Sequence, residues 1–188
     1  MKKVNRIVIF VVSILMYILS YNFDRQISSF FQESQFAFFD FIFSIITNFG
    51  FVLVVMLFIP SIILYRKNKD SIYLLWLAFI VSFILNFIVK LVVHRIRPVD
   101  TFTYPFLNII NYSFPSTHSI VVFSLLPILI KKLPKYRYYS ISFAFLVAFT
   151  RVYLGFHFLS DVIFGALAGY FIGDYFLELK DKGKLWKI

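Results

Sequence analysis

The chain has 188 residues, 61% of them apolar and 22% aromatic, with a mean hydropathy of +0.85. Only 15% are charged, against about a quarter in an ordinary soluble domain, which excludes a soluble globular protein and implies one embedded in a membrane. The net charge of +10 would suggest a nucleic-acid partner in a soluble chain, and the lack of cysteine excludes disulfides and thiolate metal sites.

Apolar runs recur at Ile7–Tyr21, Phe49–Tyr65, Ser71–Val93, Ser116–Ile130, Tyr138–Leu154 and Phe158–Leu179. Each reaches into polar flanks toward the ~20 residues a span needs. The pattern predicts an all-α, polytopic membrane protein: one domain over 1–188, a bundle of six transmembrane helices. The first run follows a basic start, but Ser20-Tyr21-Asn22-Phe23 is a poor cleavage site, so it is read as a retained span. Between the first two spans, Arg25–Asn48 is read as short interfacial helix. A seventh span over Phe36–Asn48 is the alternative and would place the termini on opposite sides.

Basic residues set the orientation. With both termini cytoplasmic, fourteen of the nineteen fall on inner segments: Lys2, Lys3 and Arg6; Arg66, Lys67 and Lys69; Lys131, Lys132, Lys135 and Arg137; Lys180, Lys182, Lys184 and Lys187. The positive balance then reports topology, and no nucleic-acid partner is expected. Arg25, Lys90, Arg95, Arg97 and Arg151 remain outside, four of them at the ends of spans three and five.

Pro60 and Pro127 are expected to bend spans two and four. Span three ends in Lys90, His94 and Arg97, at i, i+4 and i+7 on one helical face, before Pro98. Singly, each is as well explained by snorkelling at the interface. The loop Val99–Phe114, rich in Tyr, Phe and Asn, reads as a cover for a site or as an aromatic belt. Pro115-Ser116-Thr117-His118 opens span four. A helix N-terminus with free N–H groups and hydroxyl donors is an anion site, and plain capping is the bland alternative. Between spans five and six, Thr150–Asp161 carries Arg151, His157 and Asp161. If a helix begins near His157, Asp161 lies one turn on and can orient the ring. In span six, Gly165, Gly169 and Gly173 step by four and predict close helix packing within the bundle, with a dimer seam as the lesser alternative. Asp174 and Glu178 lie at the inner end and receive no chemistry, and Asp40 receives no account.

The six-span layout brings the three clusters, and all three histidines, to one side of the membrane. Several cations and a helix N-terminus fit a phosphate or diphosphate. Two histidines then fit phosphoryl transfer through a covalent intermediate. His157, oriented by Asp161, attacks phosphorus, and His118 protonates the departing oxygen. Lys90, Arg97, Arg151 and the Ser116–Thr117–His118 turn hold the phosphate oxygens. No cofactor and no metal are needed, since the cations supply the electrostatics.

Lys90-x6-Arg97-Pro98, Pro115-Ser116-Thr117-His118 and Arg151-x5-His157-x3-Asp161 resemble the three signature motifs of the type 2 phosphatidic acid phosphatases, integral membrane lipid phosphatases. The resemblance implies Lys90, Arg97, Ser116 and Arg151 as phosphate binders, His118 as acid, His157 as nucleophile and Asp161 as its orienter. Thr117 stands where the family most often has Gly, and Thr150 where it most often has Ser; both keep the side chain small. His94 belongs to no motif. The implied substrate is a phosphorylated or diphosphorylated lipid, handled on the extracytoplasmic side of a cell membrane. Undecaprenyl diphosphate, phosphatidylglycerophosphate, phosphatidic acid and lipid A phosphate are all candidates. A flippase for anionic lipid and a non-catalytic lipid-binding protein are the rival classes.

Overall fold

A computed structural model describes residues 3–99 and 111–185. Most of the loop Val99–Phe114, read as a cover or as an aromatic belt, therefore lies outside the described residues, as do Lys2 and Lys187. Helices are the only regular elements among the described residues: α1 Lys3–Glu33, α2 Ala37–Ile46, α3 Phe49–Tyr65, α4 Lys69–Val93, α5 Thr117–Lys132, α6 Arg137–Tyr153 and α7 Leu159–Asp181.

α5 lies at the centre. Every residue from Ser119 to Leu129 is buried, as expected for a helix that is apolar all round. Its start is set by Ser116, whose Oγ accepts the Ser119 N–H. Asn48 and Asn68 cap α3 and α4 in the same way, at 3.2 Å. Gly165, Gly169 and Gly173 face α5, and this contact is intimate. A Cβ on Gly173 would come within 2.0 Å of the Ser124 carbonyl oxygen, and one on Gly169 within 2.2 Å of that of Ile120. The glycine stripe thus packs inside the bundle, as its spacing predicts.

α1, α4 and α7 are each long and apolar enough to cross a membrane. Their exposed faces are apolar, for example Ile7, Leu15 and Leu19 on α1 and Ile84, Ile88 and Val92 on α4. The chain is an integral membrane protein. α2 and α3 pass the same test only as a pair, bent by 49° at a break over Thr47 and Asn48. α5 and α6, at 16 and 17 residues, are shorter than the ~20 residues a span usually needs.

One expectation about the helices needs correction. The first helix does not stop near Tyr21 but runs unbroken to Glu33, so Arg25–Glu33 continues α1 rather than joining an interfacial piece. Its 31 residues reach about 46 Å, beyond the ~30 Å of hydrocarbon. The run Arg25–Asn48 is thus split between the end of α1 and the separate α2. Pro60 sits just after a π-turn at Val54–Phe58. Widening the helix there accommodates the missing N–H and the ring.

Ion pairs tie the helices together at the end of the bundle that holds Arg6. Arg6 of α1 binds Asp174 of α7 (2.6 Å) and also Glu178. Asp70 of α4 pairs with Lys180 of α7 (2.5 Å), and Lys131 of α5 with Asp181. Asp174 and Glu178 thus tie α7 to α1, a structural part that involves no chemistry.

Candidate active site

α4 ends at Val93 rather than at Arg97. His94 takes a left-handed conformation, φ 50°, and its N–H closes onto the Lys90 carbonyl at 3.2 Å. That cap breaks the expected helical face. The His94 ring packs edge-on against Tyr112, centroids 4.6 Å apart, and does not line the site cavity. Lys90 and Arg97 both do.

The cavity, about 470 Å³, lies at the end of the bundle opposite the Arg6–Asp174 pair. Lys90, Arg97, Arg151, Thr117, His118 and His157 line its polar part, with Thr47 and Asn48 from the α2–α3 break. Phe49, Phe83 and Phe87 form an apolar wall. Ser116 and Asp161 stand behind the lining. The Ser116 hydroxyl accepts the Ser119 hydroxyl at 3.1 Å and works as the α5 cap.

α7 begins at Leu159, so His157 precedes the helix instead of sharing a face with Asp161. His157 Nδ1 lies 3.8 Å from Asp161 Oδ2 but 2.6 Å from the Ser113 carbonyl oxygen. Asp161 uses Oδ2 to accept the Phe158 N–H at 2.9 Å and Oδ1 to accept Arg95 at 2.6 Å. The expected direct hydrogen bond from His157 to Asp161 is therefore replaced by one to the main chain.

Three consecutive carbonyls hold three site side chains. Asn111 O accepts Arg97 Nε at 3.0 Å, Tyr112 O accepts Lys90 Nζ, and Ser113 O takes His157. The strap is fixed by Ser113, whose N–H donates to Arg95 O at 2.7 Å and whose hydroxyl donates to Ile96 O at 3.2 Å. A carbonyl only accepts, so His157 carries its proton on Nδ1 and leaves the Nε2 lone pair free. Burial, then the charges of Arg151, Lys90 and Arg97, push the His157 ring well below its ordinary 6.5, with the Ser113 carbonyl opposing them. The ring is neutral at neutral pH.

The His118 ring bonds the Thr47 backbone, and its Nε2 is buried without a protein partner. Arg151 Nη1 donates to Thr47 Oγ1 at 3.0 Å, its guanidinium lies over the Phe156 ring at 4.3 Å, and its Nε is likewise buried and unpartnered. Buried polar atoms of this kind, on a cationic cavity, suit an anionic ligand with several acceptor oxygens. Thr117 Oγ1 accepts Asn86 Nδ2 at 2.9 Å.

Reading the sequence missed Thr47, Ser113 and Asp24, and it marked Arg95 only as an outer cation at the end of span three. Asp24 did carry a signal: it is an ionisable residue in an apolar helix, with Ser20 and Ser28 one turn either side, and all three are buried. Thr47 and Ser113 carried none, since Ser113 holds His157 through a backbone carbonyl and the Thr47 hydroxyl meets Arg151 across 104 positions of chain.

The family profile described as the PAP2 superfamily matches residues 70–182. The chain belongs to the PAP2 superfamily. The matched segment holds all three motif clusters, while α1, α2 and α3 precede it. Among PAP2 relatives, the undecaprenyl-diphosphatase of Sulfolobus acidocaldarius is 28% identical over 131 residues, 68% of this chain and 64% of that protein. Phosphatidylglycerophosphatase B of Bacillus subtilis is 36% identical over 116 residues, 56% of this chain and 55% of that one. The chain thus spans less than two thirds of the length of either relative. The crystal structure of a transmembrane PAP2-type phosphatidylglycerolphosphate phosphatase from Bacillus subtilis superposes with a TM-score of 0.75 at 22% identity, over 97% of this chain and 98% of that one. That of Aquifex aeolicus LpxE gives 0.67 at 24% identity, over 82% and 94%. These likenesses establish the fold.

Proposed function

We propose that this PAP2 protein is a lipid phosphatase that cleaves a phosphate monoester or diphosphate through a phosphohistidine and needs no metal. The observation that carries the reading is the convergence of Lys90, Arg97, Arg151, His118 and His157 on one cavity beside an apolar wall. Lys90, Arg97 and Arg151 bind the phosphoryl oxygens, Arg in fork geometry and Lys as a point charge. Thr117 and the first-turn N–H groups of α5 add donors, with Ser116 as the cap that exposes them.

His157 Nε2 attacks phosphorus in line with the leaving oxygen. As the P–N bond forms, the P–O bond to the lipid breaks, and His118 Nε2 gives that oxygen its proton. The incoming phosphate dianion supplies the negative charge that lets His118 hold this proton among three cations. In the second half, His118 takes a proton from water, whose oxygen attacks phosphorus, and the P–N bond breaks to release inorganic phosphate and restore both rings. Asp161 supports His157 from behind, by capping α7 and holding Arg95.

In the bilayer, six spans form one unit over 1–188: α1, the α2–α3 pair, α4, α5, α6 and α7. The basic end near Arg6, Lys131 and Lys180 faces the cytoplasm with both termini, and the cavity faces the extracytoplasmic side. The lipid tail lies along Phe49, Phe83 and Phe87. Undecaprenyl diphosphate and phosphatidylglycerophosphate head the candidate substrates, because the two curated relatives bear those names.

The test is phosphate release in detergent micelles containing EDTA, over a panel of lipid phosphates and diphosphates, with wild type beside His157→Ala. Release that ignores EDTA and vanishes in His157→Ala is expected. Failure of the folded wild type to act on any lipid would turn the reading toward transport or binding.

A further inference from the structure

We propose that Asp24 of α1 is a positioning residue: working through Arg95, it holds Asp161 and the start of α7 and so sets the place of His157. The inference rests on the phosphatase reading above, and it brings an N-terminal helix outside the matched segment 70–182 into the working site.

Asp24 is 3% exposed and fully engaged. Oδ1 accepts the Ser160 N–H at 3.0 Å. Oδ2 accepts Arg95 Nη2 at 2.7 Å and also the Ser160 hydroxyl. Arg95 extends its other nitrogen, Nη1, to Asp161 Oδ1 at 2.6 Å and to Ser160 Oγ at 2.8 Å. The guanidinium plane lies over Phe158 at 4.2 Å, with Tyr21 at 5.2 Å on α1. One rigid fork therefore spans two buried carboxylates and covers the residue that follows His157.

The charges explain why the arrangement is interdependent. Two carboxylates buried this close repel unless a cation stands between them. Arg95 is that cation, and only a planar fork reaches both at once, which a lysine ammonium cannot do. Asp161 in turn accepts the Phe158 N–H, so the backbone directly after His157 is pinned by the same carboxylate. If Asp24 becomes amide, Oδ1 can still take the Ser160 N–H, but the amide NH₂ then faces two donors, Arg95 and the Ser160 hydroxyl. Arg95 loses its hold on α1, Asp161 loses a fixed counter-charge, and the Phe158 turn relaxes. Lys90, Arg97 and Arg151 do not touch Asp24, so phosphate binding is spared. The expected signature is a fall in kcat with KM nearly kept.

The experiment uses the full chain in detergent micelles: wild type, Asp24→Asn, Arg95→Lys and the double variant, on undecaprenyl diphosphate and phosphatidylglycerophosphate. Asp24→Asn is expected to lose about 100-fold in kcat, the scale of a displaced reacting group, with KM within about threefold. The double variant should cost little more than the worse single one, since both break one unit. Stabilisation by inorganic phosphate, read as a shift in Tm, should persist in Asp24→Asn. A kcat within about threefold of wild type, or a kcat loss accompanied by loss of the phosphate-induced Tm shift, overturns the proposal. A readout independent of turnover is the ¹⁵N NMR signal of the His157 ring, assigned by its disappearance in His157→Gln. Asp24→Asn should shift or split it, and an unchanged signal overturns the proposal. If wild type hydrolyses no lipid of the wider panel, the phosphatase reading fails, and the ring signal still decides whether Asp24 positions His157.

Discussion

The Nδ1 atom of His157 lies 2.6 Å from the carbonyl oxygen of Ser113 and 3.8 Å from Oδ2 of Asp161. The tautomer of the proposed nucleophile is therefore set by main chain, which no single side-chain substitution removes. Asp161 works one step further away, through Phe158 N–H and Arg95. Asp161→Asn should consequently impair the reaction less than His157→Ala. Phosphate release by the two variants in parallel checks this; equal, complete loss in both would show that Asp161 acts on the ring directly.

The pH dependence follows from the same surroundings. Burial and three neighbouring cations push His157 well below 6.5. In the proposed mechanism the neutral ring is the reactive form, so protonation abolishes attack, and a lowered value moves that loss toward acid. Phosphohistidine formation in a single turnover should hold steady down through pH 6.5 and fall only below it. Half-loss at or above that pH would contradict a desolvated, cation-flanked ring.

Thr47 joins two site residues across the α2–α3 break. Its hydroxyl accepts Arg151 Nη1 at 3.0 Å, and its backbone bonds the His118 ring. Thr47→Val keeps shape but leaves a buried guanidinium N–H unpaired, at a cost of about 1–3 kcal/mol. Since Arg151 is a proposed phosphate binder, KM should rise about tenfold with a smaller change in kcat. Thr47→Ser restores the acceptor and should restore KM.

The contact between α5 and α7 leaves no room for added methyl groups. Gly173→Ala places Cβ 2.0 Å from the Ser124 oxygen, and Gly169→Ala 2.2 Å from that of Ile120, whereas Gly165→Ala meets nothing nearer than 3.0 Å. Overpacking typically costs about 1–3 kcal/mol, and more where backbone must move. Thermal unfolding in micelles should rank Gly173→Ala and Gly169→Ala well below Gly165→Ala.

Arg6 anchors the other end of α1. Arg6→Gln leaves the buried Asp174 carboxylate without its cation, costing about 1–3 kcal/mol. The site lies at the opposite end of the bundle, so kcat per folded molecule should stay near wild type while Tm falls. A matched fall in kcat would mean that the two ends are coupled through α1.

The amino-acid sequence by itself determined the membrane environment, the helical class and the three clusters that meet at the cavity. Apolar run length and the cost of burying charge act locally, so they are visible residue by residue. Lys90, Arg97, His118, Arg151 and His157 were all identifiable, because ionisable groups in an apolar chain are conspicuous. The tertiary structure alone decided what holds them. The cap at His94 and the start of α7 after His157 rest on φ angles and hydrogen bonds that spacing does not encode. The carbonyls of Asn111, Tyr112 and Ser113 are common to every sequence, so nothing in the residue names announces them. Asp24 reaches Arg95 and Ser160 across 71 and 136 positions, a separation that only the packed bundle closes.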